Sequence, residues 1–213
     1  MKIHKGWYFP KSEKSFVKYF DQLNTNEYQI DQRKESFKYL DNNRKAIDIG
    51  ANVGLWAKDI CKTFKEVKLF EPYIENIECL RKNLEFHDNF EIFECALSNI
   101  QGFANLYIDK VGLGNNSLSS LDQSDLKIKI KTMKLDDYNF EDIDYIKIDV
   151  QYHELQVIEG SIDTLKKNSP VLCIEAARRN KSELIYVNKF VKILGELNYK
   201  VVGEAGKELF FKK

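Results

Sequence analysis

Short apolar runs alternate with amphipathic stretches along most of the chain, and this alternation is typical of a parallel sheet covered by helices. Between the first two runs, Val53, Ala57, Ile60 and Phe64 recur at helical spacing. The predicted parallel strands occupy residues 46–49, 67–70, 90–95, 145–150 and 171–174. The pattern therefore predicts an α/β domain of the Rossmann-like type.

Residues 1–44 form a predicted extension ahead of the sheet. Phe16, Phe20 and Leu23 lie at helical spacing, so we expect a helical extension that covers one edge of the sheet. Its aromatic side chains are candidates for substrate contact, although packing against the sheet is the better explanation. These aromatic residues are Trp7, Tyr8, Phe9 and Tyr28.

Residues 45–213 form the main predicted domain, and residues 99–134 interrupt its strand-helix rhythm. Apolar residues alternate with lysines near the end of this interruption, which predicts a small antiparallel β insertion. Its segment 111–125 is polar and has no helical period, so we expect it to bind substrate or close over the site. Two last runs, around Val201 and Phe210, predict a closing antiparallel hairpin.

The segment 45–72 has the order strand, glycine turn, helix and second strand, which is the arrangement of a nucleoside-binding site. Gly50 and Gly54 bracket the turn, where the lack of a Cβ lets the backbone bend and a ligand approach. Glu71 ends the second strand about 20 residues later, where an acid accepts hydrogen bonds from ribose hydroxyls. Asn52 stands where a dinucleotide fingerprint requires glycine for the pyrophosphate. A cofactor with a ribose and no phosphate fits better, and S-adenosylmethionine is the common one.

Several motifs occur in the order and spacing of one known family. They are IDIGANVG, FEP, ENIECLRKNL, CALS, LDD, IKIDVQ followed by Glu154, and CIEA, and the resemblance covers residues 44–177. In these motifs the chain resembles the FkbM family of S-adenosylmethionine-dependent methyltransferases. The resemblance implies a seven-stranded class I methyltransferase sheet with helices on both faces. It also implies methylation of a hydroxyl on a sugar, a glycan or a small natural product. The family usually carries glycine where this chain has Tyr152, so the acceptor-side loop is where the chain departs from the family.

The predicted cofactor site combines the glycine turn, the acid after the second strand and small residues after the third. Ala96 follows the third strand at the edge of the sheet where adenine is expected, and its small side chain leaves room for a flat ring. The predicted cofactor-binding residues are Asp48, Gly50, Ala51, Asn52, Gly54, Glu71, Pro72, Ala96 and Leu97.

Candidate catalytic groups follow two adjacent strands, with Asp149, His153 and Glu154 after one and Glu175 after the other. Methyl transfer to an alcohol needs a base that removes the hydroxyl proton. We favour Asp149 with Glu154 as the acceptor-side pair, because a carboxylate that closes an apolar strand must find partners. His153 is the third choice, and Glu175 organises the surrounding groups. The three carboxylates could also hold Mg²⁺, but neither their spacing nor the family resemblance requires a metal, and we predict none.

The composition narrows the classes of function. The 213 residues suit a single domain, and 33 basic residues balance 33 acidic ones. Lysine supplies 28 of the basic residues, which argues against a protein that reads nucleic acid. No signal peptide or apolar run of about 20 residues occurs, so we expect a soluble, cytoplasmic protein without a membrane partner. The cysteines, predicted to be buried thiols, are Cys61, Cys79, Cys95 and Cys173.

Three other interpretations were weighed against the sequence. A nicotinamide-dependent oxidoreductase would share the strand, the turn and the ribose acid. Its dinucleotide cofactor, however, needs a glycine for the pyrophosphate where this chain has Asn52. A cofactor-binding module with impaired catalysis would explain Tyr152. A nucleic-acid methyltransferase is disfavoured by the zero net charge and by the lack of an N/D-P-P-Y/F motif. The expected partner is therefore a small-molecule, sugar or glycan acceptor, and the sequence indicates no oligomeric state.

Overall fold

The computed structural model describes residues 1–108, 116–118, 127–177 and 180–213. The strands in these residues are β1 (Lys2–His4), β2 (Trp7–Phe9), β3 (Lys45–Ile49), β4 (Glu66–Phe70), β5 (Phe90–Phe93), β6 (Ala96–Leu97), β7 (Gly102–Tyr107), β8 (Lys127–Met133), β9 (Ile143–Ile148), β10 (Val171–Glu175), β11 (Lys200–Ala205) and β12 (Glu208–Lys212). The helices are α1 (Ser15–Gln22), α2 (Ile30–Phe37), α3 (Ala57–Thr63), α4 (Ile74–Asn83), α5 (Glu154–Glu159), α6 (Ile162–Asn168) and α7 (Lys181–Glu196), with a 3-10 turn at Leu135–Tyr138.

Seven strands form the central sheet in the order β11-β12-β10-β9-β3-β4-β5. Strand β12 runs antiparallel to β10 and β11, and the other neighbours are parallel. The chain winds outward in both directions from β3 and β9, so the topological switch point lies between these two strands. This topology confirms the predicted seven-stranded class I sheet and its closing hairpin.

The side chains of β3 alternate between two cores, one on each face of the sheet. Ile47 and Ile49 pack with residues of α5, α6 and α7, whereas Ala46 packs with residues of α3 and α4. Because both faces are covered, the central strands are mostly apolar, and Asp48 and Lys147 are buried charged exceptions. Helices on both faces are therefore confirmed, and all four cysteines are buried free thiols as predicted.

The N-terminal extension begins with a β hairpin that the hydrophobic pattern did not predict. Strands β1 and β2 pair in it, and Lys5 and Gly6 form the turn with φ of 46° and 85°. Two positive φ angles in a two-residue turn match the right-handed twist of the flanking strands. The expected helices follow as α1 and α2, and α2 lies against β11 at one edge of the sheet.

The insertion after β5 is a second, three-stranded sheet. Strand β7 pairs antiparallel with β8, and β6 pairs parallel with β8, so the predicted β insertion is confirmed. The segment 111–125, predicted to bind substrate or close over the site, lies outside the described residues except for 116–118. Among the residues that the structure describes, no helix has the length and apolar character needed to cross a membrane.

Candidate functional site

The turn after β3 brings the ends of β3 and β9 together. Gly50 has φ of +82°, and a Cβ there would collide with the carbonyl oxygen of Asp149. Gly54 has φ of +92°, and a Cβ there would lie 2.8 Å from a methyl of Leu80, so this glycine serves packing. Because the turn extends past Gly54, helix α3 starts at Ala57 rather than near residue 53. The two glycines of the motif therefore have different tasks, and only Gly50 lies at the switch point.

Glu71 follows β4 and holds the glycine turn in place. Its carboxylate accepts hydrogen bonds from the backbone amides of Asn52 and Tyr73, both at 2.9 Å, and from the Asn76 side chain at 3.3 Å. Burial raises the pKa of Glu71 to about 7, although these hydrogen bonds act in the opposite direction. Any further hydrogen-bond donor would stabilise the ionised form of this buried carboxyl.

A first cleft of about 570 Å³, open to solvent, lies off the carboxyl ends of β3, β4 and β9. Asp149, Gln151 and His153 form part of its wall. Three of the predicted cofactor residues, Asp48, Ala51 and Gly54, do not line it. The predicted cofactor residues that do line it are Gly50, Asn52, Glu71, Pro72, Ala96 and Leu97.

Asp48 is buried beneath the clefts rather than exposed in them. It stands opposite Lys147 on the neighbouring strand, and the two side chains form an ion pair at 3.1 Å. Burial raises the pKa of Asp48, while the charge of Lys147 lowers it. The same lysine Nζ lies 3.8 Å from Oδ2 of Asp149 and 5.5 Å from the ring centre of Trp56. Asp48 thus holds a lysine that reaches the candidate catalytic acid.

A second cleft, of about 880 Å³, continues from the first, and the two share Gly50, Asn52, Asp149 and Gln151. The Gln151 side-chain amide donates to Oδ1 of Asp149 at 2.9 Å and to Oε2 of Glu175 at 2.8 Å. Burial and the charge of Asp149 raise the pKa of Glu175 to about 8, against the opposing charge of Lys207 at 3.2 Å. Lys147 also lines this cleft, as does Ala51 of the predicted cofactor set. The acids that meet here are Asp149 and Glu175.

Glu154 and His153 have other hydrogen-bond partners than this pair. The Glu154 carboxylate accepts hydrogen bonds from the amides of Val150 and Tyr152 and from the Tyr186 hydroxyl, and it lines neither cleft. His153 lines only the first cleft, where its Nε2 is 3.0 Å from the Ser98 hydroxyl. Burial lowers the pKa of His153 to about 4, so its imidazole is neutral and weakly basic. The structure does not assemble the predicted pair of Asp149 and Glu154.

Tyr152, which replaces the family's usual glycine, has φ of 68°. This left-handed conformation favours glycine and costs other residues about 1–2 kcal/mol. The Tyr152 hydroxyl donates to Glu183 at 3.0 Å, and its ring packs edge-on against Tyr186. Tyr152 lines neither cleft, so the departure from the family changes the outer side of the turn rather than the cleft walls.

The carboxylates that the structure describes near the clefts do not form a ligand set for Mg²⁺. Within the described residues, no group of three histidine, cysteine, aspartate or glutamate side chains could hold a metal ion. Glu154, one of the three carboxylates considered for Mg²⁺, is occupied by backbone amides and Tyr186.

Sequence reasoning missed Lys147 and Gln151. Lys147 carries a readable signal, because a lysine between Ile146 and Ile148 in a buried strand needs an acidic partner, and Asp48 is the acid of the neighbouring strand. Gln151 carries no such signal. Its side chain reaches both acids only because its own backbone has φ of 52°.

The buried carboxyls predict a pH dependence of stability. The pKa values of Glu71 and Glu154 are raised to about 7 and that of Glu175 to about 8, from 4.5. The folded protein therefore binds more protons than the unfolded chain between these values, and stability falls as pH rises through them. The lowered pKa of His153 acts in the opposite direction, but the three raised carboxyl pKa values outweigh it. We therefore expect the free energy of unfolding of the ligand-free protein to drop by several kcal/mol between about pH 5 and pH 8.

Urea unfolding across this pH range measures the drop. Glu154→Gln removes one of the three titrations without touching either cleft, so it should flatten the dependence. The exposed Glu196→Gln is the control and should leave it unchanged. Stability that rises with pH over this range would contradict the assignment of raised pKa values.

The known proteins that this chain resembles in sequence or fold include several methyltransferases. The family model for the methyltransferase FkbM domain matches residues 48–201. No curated protein matches the chain. Among solved structures, methyltransferase FkbM from Methylobacillus flagellatus KT is similar, with a TM-score of 0.54 and 16% identity over 80% of this chain and 44% of that one. The chain therefore spans less than half the length of that relative.

Two further structures cover most of both chains. SMU.1697c from Streptococcus mutans, solved in complex with SAH, has a TM-score of 0.53 and 14% identity over 84% of this chain and 92% of that one. Precorrin-6y C5,15-methyltransferase from Geobacter metallireducens GS-15 has a TM-score of 0.50 and 14% identity over 84% of each chain. At such identities the likeness shows the shared class I fold.

Proposed function

Because the chain belongs to the FkbM family of S-adenosylmethionine-dependent methyltransferases, we propose that it methylates a hydroxyl of a sugar, a glycan or a small natural product. The observation that carries the proposal is the junction of the two clefts at Asp149 and Gln151. The first cleft has the features of a nucleoside site, and the second holds an acid pair. A cofactor in the first cleft and an acceptor in the second would therefore meet beside Asp149.

The lining of the first cleft fits S-adenosylmethionine. Gly50 leaves the backbone open to close approach, and Ala96 and Leu97 offer a small apolar surface for the adenine. Each carboxylate oxygen has two lone pairs, so Glu71 can accept ribose hydroxyls beside the donors that it already has.

The chain's own groups are arranged to orient the acceptor and to take its proton. The cofactor, when bound, would supply a methyl group on a sulfonium, whose sulfur departs as a neutral thioether when the methyl group is transferred. Gln151 donates to Oδ1 of Asp149, and Oδ2 is the oxygen that would accept the hydroxyl proton of the acceptor. Lys147 lies 3.8 Å from that oxygen and orients it. Glu175, with a pKa of about 8, is largely protonated at neutral pH and holds the other side of Gln151.

The cofactor assignment predicts that Glu71→Ala weakens S-adenosylhomocysteine binding. We expect a loss of about 1–3 kcal/mol in binding free energy, because the buried ribose hydroxyls lose their acceptor. Isothermal titration measures this loss. The control is Glu75→Ala, an exposed acid in the next helix turn, which should bind normally. An unchanged affinity in Glu71→Ala would place the ribose elsewhere.

The decisive experiment follows a labelled methyl group from the cofactor into fractionated metabolites and glycans of the host. Transfer to a hydroxyl supports the proposal, and transfer to a nucleic acid or to nitrogen would contradict it. The zero net charge supports a small or glycan acceptor over nucleic acid. Titration with NAD tests the oxidoreductase alternative, which requires NAD to bind tightly and S-adenosylhomocysteine not to bind. Cofactor binding without transfer to any fraction would favour the impaired module.

A further inference from the structure

The loop 27–29 is the last part of the connection from α1 to α2 and lies outside the residues that match the family. Arg33 is only 2% exposed and holds this loop from below. Its guanidinium pairs with Glu27 and with Asp59 of α3, both at 2.9 Å, and donates to the carbonyl oxygen of Tyr28. A buried guanidinium with these partners fixes the backbone of the loop against the main domain.

Gln29 anchors the other end of the loop. It accepts a hydrogen bond from the Trp56 indole at 2.7 Å and donates to Glu208 at 3.0 Å. Its backbone has φ of 50°, a conformation that the surrounding contacts must stabilise. The loop is thus tied to α3 and β12 on either side of Tyr28, which makes the position of this tyrosine well defined.

The Tyr28 side chain projects into the second cleft, which it lines together with Asp149 and Glu175. Phe16 and Tyr19 pack near-perpendicular to its ring, at 5.1 Å and 5.2 Å between ring centres. Burial, followed by the charges of Asp149 and Glu175, raises the pKa of the Tyr28 phenol. The hydroxyl therefore stays protonated and can donate a hydrogen bond to a ligand.

The charges of the cleft favour a neutral ligand. Lys147 pairs with Asp48 at 3.1 Å and lies 3.8 Å from Asp149, and Lys207 lies 3.2 Å from Glu175. Because Glu175 is largely protonated at neutral pH, the two lysines balance the two aspartates. The cleft thus combines hydrogen-bonding groups with an aromatic wall and presents no uncompensated acid to a cationic ligand. A pyranoside matches this lining, because its hydroxyls can bond the polar groups while its C–H face packs on the aromatic rings.

We propose that Tyr28 binds the methyl acceptor and that the acceptor presents an uncharged pyranoside ring to the second cleft. The inference rests on the proposed function, in which Asp149 receives the acceptor proton. It assigns the recognition of the acceptor to a loop that precedes the family-matched residues.

Saturation-transfer NMR on the full chain, with S-adenosylhomocysteine at saturation, tests the inference. The probes are the methyl pyranosides of glucose, galactose, mannose and rhamnose, with choline as the cationic probe. We expect at least one pyranoside to bind and choline not to bind. Tyr28→Phe should weaken that pyranoside about fivefold or more, because one buried hydrogen bond is lost. Tyr8→Phe makes the same change in a tyrosine that lines neither cleft, and it should bind normally.

Binding of choline instead, binding of no pyranoside, or pyranoside binding unaffected by Tyr28→Phe would each overturn the inference. A loss of S-adenosylhomocysteine affinity in Tyr28→Phe would also overturn it, since the tyrosine would then serve the cofactor. Failure of the proposed function can be distinguished from failure of the inference. Tyr28-dependent pyranoside binding without any methyl transfer would keep the inference and remove the function, whereas transfer that is unchanged in Tyr28→Phe would do the reverse.

Discussion

Replacing Asp149 with asparagine should lower methyl transfer by about 100- to 10,000-fold, the range that a positioned general base contributes. Asparagine keeps the size of the side chain and can still accept the hydrogen bond from Gln151, but it cannot take the acceptor proton. Cofactor binding should change little, because the acid proposed to bind the ribose is Glu71. The measurement is turnover of labelled cofactor, with S-adenosylhomocysteine affinity determined on the same preparation.

Glu175→Gln is the matched control for this substitution. The pKa of Glu175 is about 8, so glutamine resembles its protonated form at neutral pH and can still bond Gln151. We expect this variant to stay within about tenfold of the natural enzyme, since no base is lost. If turnover survives in Asp149→Asn and collapses in Glu175→Gln, the two acids have exchanged roles and the base is Glu175.

The predicted site residues that the structure brings together are those whose place depends on the end of a strand. Gly50, Glu71 and Ala96 all follow strands, and parallel strands present their carboxyl ends at one edge of the sheet. The same rule brings Asp149 and Glu175 together, because β9 and β10 are neighbours. Reading strand order from the sequence was enough to place these side chains near one another.

The predicted site residues that line neither cleft include side chains whose direction depends on local backbone angles. Asp48 lies within β3, where the pleat alternates side chains between faces, so it points to Lys147 rather than off the end of the sheet. Glu154 follows two residues with positive φ, Gln151 and Tyr152, which turn the chain so that its carboxylate caps their own turn. Neither residue is glycine, so the sequence gives no sign of this bend.

Gly50→Ala should abolish cofactor binding and destabilise the protein more than an ordinary glycine substitution. Two costs combine at this position. The φ of +82° costs a residue with a Cβ about 1–2 kcal/mol, and the new Cβ collides with the carbonyl oxygen of Asp149 and lies 3.0 Å from its carbonyl carbon. Backbone cannot move aside as a flexible side chain can, so β3 and β9 must separate. We expect a total loss of about 3 kcal/mol or more in the free energy of unfolding.

Two other glycines separate these costs. Gly6 has φ of +85° with open space around it, so Gly6→Ala shows the backbone cost alone, about 1–2 kcal/mol. Gly195 lies in helix α7 with no atom near its Cβ position, so Gly195→Ala should stabilise by about 0.4–1 kcal/mol. Urea unfolding and S-adenosylhomocysteine titration of all three variants give the comparison. If Gly50→Ala costs no more than Gly6→Ala and still binds the ligand, the strand ends do not approach as closely as the structure shows. The cofactor cleft would then not depend on that approach.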